Sequence, residues 1–182
     1  MLVVVSDTHS SEEHRLHGRT LTAVRDADLV VHAGDFYREP VLDAFHEEAV
    51  TLRAVYGNND DPAIRERVPK VRVVEYAGVR FAVTHRHRGG DTGLVMLGRE
   101  RDADAVIYGH SHAPRFDDST SLPLLNPGSH AQPRGNRAAH AELEPVGESD
   151  RDGSVDADAD GGLVGRLVTP SGDVFREFRI GR

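Results

Sequence analysis

The sequence predicts an α/β fold, and two observations carry the prediction. Over roughly the first seventy residues, short β-branched apolar runs alternate with segments of helical spacing, the pattern of strands joined by crossover helices. Beyond that point the texture changes to hairpins and short strands punctuated by Gly, Pro and Asn. The 182 residues suffice for one domain with a sizeable core, so a single domain over 1–182 is expected.

The elements follow in order. Leu2-Val3-Val4-Val5 reads as a fully buried strand that ends at Ser6-Asp7-Thr8-His9. Extended backbone would carry Asp7 and His9 to one side, a carboxylate and an imidazole held together at a strand end. Ser10-Ser11-Glu12-Glu13 has the capping serine and early acids of a helix N-terminus, with Leu16, Leu21, Val24 and Ala27 as its rough apolar face. A second strand over 28–33 stops at Gly34-Asp35, and a helix with proline in its first turn spans 40–48. A third strand, 51–56, stops at Gly57-Asn58-Asn59-Asp60, and Asp61-Pro62 opens another short helix. Residues 71–76 and 79–84 flank Ala77-Gly78 as a hairpin whose second arm ends at His85. A helix around 92–101 leads to the strand 105–108, which ends at Gly109-His110-Ser111-His112. Short strands near 114–117, 122–126, 138–144, 163–168 and 173–179 close the chain.

Composition narrows the chemistry. Hydrophobic residues make up 38% and aromatics 5%, with no Trp, so Val, Leu and Ala must fill the core. There is no Cys, hence no disulfide and no thiolate site; any metal must be held by His, Asp, Glu or Asn. The chain opens on its first strand and has no apolar run of about 20 residues, so neither a signal peptide nor a membrane span is expected, and the protein reads as cytoplasmic. Of the net charge of −8, much lies in 145–162, where Glu148, Asp150, Asp152, Asp156, Asp158 and Asp160 face Arg151 alone. That insert, at about 146–162, reads as disordered or heavily solvated. The remainder is nearly balanced, so stable nucleic-acid binding is not expected; a homo-oligomer stays open.

Read singly, Gly34-Asp35 and Gly57-Asn58 are turn dipeptides and His85 is an ordinary surface or hydrogen-bonded histidine. Read together, five separate strands end in Asp7/His9, Asp35, Asn58, His85 and His110/His112, all of one chemical kind. Nitrogen and hard oxygen suit borderline divalent ions such as Mn, Fe, Zn, Co or Ni. Seven such groups are too many for one tetrahedral ion and suit two ions sharing a carboxylate. Glycines before Asp35, Asn58 and His110 let the backbone bend and approach closely.

Asp7-x-His9, Gly34-Asp35, Gly57-Asn58-Asn59-Asp60, His85 and Gly109-His-Ser-His112 resemble the ordered motifs of calcineurin-like metallophosphoesterases. Chain length and Asn126-Pro127-Gly128-Ser129 resemble the small bacterial and archaeal phosphodiesterase branch, over roughly 1–144 and the closing hairpin. The resemblance implies a four-layer sandwich of two mixed β-sheets flanked by helices. It implies two divalent metals, Mn or Ni foremost, with Fe, Co or Zn as alternatives. Asp7, His9 and His112 would hold one, Asn58, His85 and His110 the other, with Asp35 between them. The activity implied is hydrolysis of a small-molecule phosphodiester by a metal-bridging hydroxide. The Asn58 amide oxygen would ligate while its NH₂ donates to phosphate.

Two positions depart from the pattern. Asn59 stands where many relatives have a histidine able to protonate the leaving group; it can contact substrate but cannot supply that proton. His87, two residues past His85, is the substitute candidate, and Arg86 is a candidate contact to substrate phosphate. A phosphomonoesterase of the same fold, or a non-catalytic scaffold that keeps the fold as retromer-type relatives do, are the alternative readings.

Overall fold

A computed structural model of the chain describes residues 1–147 and 162–181. The alternating half runs β1 (Leu2–Val5), α1 (Gly18–Asp26), β2 (Leu29–His32), α2 (Glu39–Glu48), β3 (Leu52–Ala54) and α3 (Pro62–Arg67). The second half runs β4 (Val71–Tyr76), β5 (Val79–Thr84), α4 (Gly90–Glu100), β6 (Ala105–Ile107), β7 (Arg115–Asp117), β8 (Leu124–Asn126), β9 (His140–Pro145), β10 (Leu163–Val168) and β11 (Val174–Ile180). They form two mixed sheets, ordered β11-β10-β9-β1-β2-β3 and β4-β5-β6-β8-β7. In the first, β1, β2 and β3 are parallel and β9 lies antiparallel to β1. In the second, β5, β6 and β8 are parallel.

Four layers result because the central strands are apolar on both faces. Leu2 and Val4 face the second sheet, packing with Val31, Phe81, Val83, Ile107 and Leu125. Val3 and Val5 turn outward, under Val24, Leu42, Phe45 and Ile64 of the three helices on that side. The outer face of the second sheet, through Ala82, Val106 and Leu124, packs on Leu94 of α4. Each large aliphatic side chain so enclosed contributes about 1.5–3 kcal/mol, which makes the continuous β1 run a principal source of stability. Among the described residues, no helix is long and apolar enough to cross a membrane.

One local expectation fails, for a long-range reason. No helix starts at Ser10. Its amide donates to Phe36 O (3.0 Å), prolonging the β1–β2 pairing, and α1 begins only at Gly18, without a side-chain cap on His17. There the Arg19 amide donates to Pro170 O (2.8 Å), and Gly18, at φ +53°, leaves room for that carbonyl. The helix is thus started by the β10–β11 turn, far away in sequence. The closing strands also return to the first sheet, pairing Val4 with Ala141. The Val146 amide donates to Gly162 O (3.0 Å) at the neck of the acidic insert; its residues 148–161 lie outside the described ones.

Candidate metal centre

The loops after β1, β2, β3, β5 and β6 are stitched together at one rim of the sandwich. Asp7 N and His9 N donate to Gly34 O and Asp35 O, each at 3.0 Å. Gly109 N donates to His85 O (3.0 Å), and His110 N to Asp7 Oδ2 (2.9 Å), which joins the two sheets. The glycines serve this approach. At φ +94° Gly34 takes a conformation L-residues rarely adopt, and a Cβ there would lie 2.8 Å from Gly57 N. A Cβ on Gly57 would overlap Asp35 Oδ1, and one on Gly109 would overlap Ser6 Oγ.

The expected extended Asp7-x-His9 geometry is not what occurs. Asp7 (φ 56°), His9 (46°), Asp35 (60°), His110 (74°) and His112 (58°) all have left-handed backbone. Each such residue costs about 1–2 kcal/mol, and strain of this kind gathers at functional sites. Tight turns, not a straight strand edge, aim these side chains.

The side chains form two groups. In one, His9 Nε2 lies 3.6 Å and His112 Nε2 3.3 Å from Asp7 Oδ1. In the other, His85 Nε2 lies 3.2 Å from Asp35 Oδ2, with His110 beside them. His9 Nε2 is also 3.4 Å from Asp35 Oδ2, and His85 Nε2 is 4.0 Å from Asp7 Oδ1, so the groups adjoin. Neighbours fix the tautomers: His85 Nδ1–H donates to Ala33 O (2.8 Å) and His112 Nδ1–H to Gln132 O. Both Nε2 lone pairs therefore point into the site. Asp7 Oδ1, His9 Nε2, Asn58 Oδ1 and His85 Nε2 are buried with no hydrogen-bond partner. Buried polar atoms are normally satisfied, because leaving one unpaired costs about 1–3 kcal/mol. Four unpaired buried nitrogen and hard-oxygen lone pairs, shared between the two groups, fit divalent cations.

Electrostatics agree. Burial opposes ionisation of Asp35, but His85 and the Asn59 amides outweigh it and hold the carboxyl far below its usual range. Burial likewise opposes a proton on His85, and Asp35 and Asp7 reverse this to raise its pKa. Positive charge is drawn to the seam between the two carboxylates. Burial holds the pKa values of His110 and His112 below the ordinary imidazole range, which keeps their lone pairs available.

The remaining sequence candidates fall nearby. Asn58, Arg86 and His87 line an open cleft of about 690 Å³ together with His85. Arg86 Nη1 lies 3.5 Å from His110 Nε2. His87 Nδ1 accepts from Gly89 N (3.1 Å). Asn59 grips Asp35 twice, through its backbone N–H to Oδ1 (2.8 Å) and its Nδ2 to Oδ2 (2.7 Å).

Several residues that hold the loops escaped the sequence reading. Buried Asp60 accepts from the amides of Asp35 (3.1 Å), Tyr37 (2.7 Å) and Gly57 (2.7 Å), tying the second and third loops together. Asn126 Nδ2 donates to Gly109 O (2.8 Å), Ser129 Oγ to Asp7 O (2.8 Å) and Ser6 Oγ to Asp7 Oδ2 (2.7 Å). The available signal was a polar side chain on a motif otherwise made of ligands and glycines: Asp60 closing Gly57-Asn58-Asn59, and Asn126-Pro-Gly-Ser129.

Residues 1–144 match the model of the calcineurin-like phosphoesterase superfamily domain. A probable metallophosphoesterase of Methanocaldococcus jannaschii is 32% identical over 139 residues, 74% of this chain and 70% of its own. A phosphodiesterase of the same organism is 27% identical over 136 residues, 69% of this chain and 81% of its own. Among solved structures, a predicted phosphoesterase from Streptococcus pneumoniae superposes with a TM-score of 0.69 at 26% identity, covering 100% of this chain and 97% of that one. Entamoeba histolytica Vps29 complexed with zinc shares the fold at 18% identity, with a TM-score of 0.70 over 99% of this chain and 98% of its own.

Proposed function

The chain belongs to the calcineurin-like phosphoesterase superfamily, and on that premise we propose that it is a dinuclear-metal phosphodiesterase acting on a small-molecule phosphodiester. Four buried, unpartnered donor atoms on Asp7, His9, Asn58 and His85 carry the reading. Asp7, His9 and His112 would hold one divalent ion, and Asn58, His85 and His110 the other, with Asp35 shared. Such ions supply Lewis acidity, a more acidic water and charge neutralisation for phosphoryl transfer.

The chain's own residues do the rest. Asp35 stays ionised, and the left-handed loops fix the direction of Asp7 and Asp35, so little reorganises during reaction. The Asn58 Nδ2 group is a donor for a phosphate oxygen, and Arg86 beside His110 adds positive charge at the mouth. The Asn59 amide is engaged with Asp35 and has no acidic proton to give a leaving group. Substrates with good leaving groups are therefore favoured, and His87, which lines the cleft, would be the imidazole to protonate a poorer one.

Purified protein loaded with Mn should hydrolyse bis(p-nitrophenyl) phosphate, with a higher kcat/KM than for p-nitrophenyl phosphate, and lose turnover in chelator. No turnover with any of Mn, Ni, Co or Fe would sink the proposal. Two bound cations without turnover would instead favour a fold-retaining binding protein.

A further inference from the structure

The cleft holds more positive charge than one scissile diester needs. Its lining includes Arg65, Lys70, Arg86 and Arg88 but no carboxylate, in a chain whose net charge is −8. Lys70 is the sole lysine of the sequence. Among the described residues Lys70, Arg86 and Arg88 have no carboxylate partner, so their charge is available to an anion in the cleft. Arg65 is fixed in place. Its Nε and Nη2 donate to Asp60 O and Asn58 O, each at 2.9 Å, and its guanidinium lies 5.5 Å from the Tyr56 ring centre. Arg65 and Arg86 thus adjoin the candidate ligands Asn58 and His110, while Lys70 sits just before β4 and Arg88 in the loop beyond β5. A phosphodiester carries one negative charge. Unpaired cations running on from the centre along an open cleft fit a second anion on the same molecule.

We propose that this cleft is a second phosphate site, and that the substrate is a phosphodiester bearing a further phosphate group on its organic moiety. The inference rests on the phosphodiesterase reading for the word substrate, but the anion site can be tested without turnover. Calorimetry on Mn-loaded protein should show thymidine 3′,5′-bisphosphate binding at least about tenfold tighter than thymidine 5′-phosphate, as two charge-assisted contacts require. In a Lys70→Ala/Arg88→Ala variant that difference should collapse with no change in Tm, because both side chains are exposed. With Mn, the p-nitrophenyl ester of thymidine 3′,5′-bisphosphate should likewise show a lower KM than that of thymidine 5′-phosphate, and the double variant should erase the gap. Equal binding of the two nucleotides, or inorganic phosphate binding as tightly as the bisphosphate, overturns the proposal. Loss of all turnover with the binding difference intact would count against the phosphodiesterase reading and leave the anion site standing.

Discussion

The two ligand groups are chemically alike and built differently. Asp7, His9 and His112 sit in a closed setting: Asp7 Oδ2 accepts from Ser6 and the His110 amide, His112 is pinned by Gln132, and the Asp7 carbonyl is held by Ser129. In the other group His85 lines the cleft, Asp35 is buried beside it and His110 is exposed beside Arg86. Neighbouring hydrogen bonds orient the ligands of both groups, since Asn59 also holds Asp35 and Ala33 holds His85; the exposed His110 beside Arg86 distinguishes the second. The contrast teaches that, with cations bound, the enclosed position would favour retention and the cleft-side one exchange and contact.

The strongest way to break that contrast is to remove what the groups would share. Asp35→Asn should lower Mn-dependent diesterase activity by about 10³-fold or more, and elemental analysis should show loss from the cleft-facing group first. Acid should come next, acting on the buried His130, which bonds to the His14 carbonyl. Burial holds the His130 pKa down at about 4, against 6.5 for an ordinary imidazole. The unfolded chain therefore takes up the proton first, and His130 should cost chelator-treated protein up to about 3 kcal/mol as pH falls from 6.5 to 4, a part of the slope that denaturant titration of His130→Gln should remove. His112→Ala and His110→Ala compare the groups directly. The former should weaken the tighter metal about 10- to 100-fold, while the latter should spare it; equal effects in a chelator titration would remove the distinction. Asp60→Asn should cost about 1–3 kcal/mol, read as a Tm drop of a few degrees, and loosen only the cleft-facing group. The smallest effect is expected from replacing 148–161 with Asn-Gly: because Val146 and Gly162 already pair at the neck, Tm and activity should stay unchanged.

Much of this architecture was legible because it is written in local periodicity. The run Leu2–Val5 and the hairpin 71–76/79–84 announce themselves by apolar pattern and turn chemistry. The candidate ligands were legible because they interrupt such runs. What stayed hidden depends on partners far away: α1 waits for Pro170, β9–β11 return beside β1, and Asp60 acts on Asp35 and Tyr37. The left-handed turns at Asp7, His9 and His112 were invisible for another reason, since neither Asp nor His there signals a positive φ as Gly does.

The seam location has a mechanical consequence. Asp7, His9, Asp35 and Asn58 hang from strands of one sheet, and His85, His110 and His112 from strands of the other. A chain without cysteine has no covalent staple between its halves. Cations in this seam would act as a reversible rivet between the sheets, so that metal supply sets how firmly the halves hold together as well as how fast they turn over substrate.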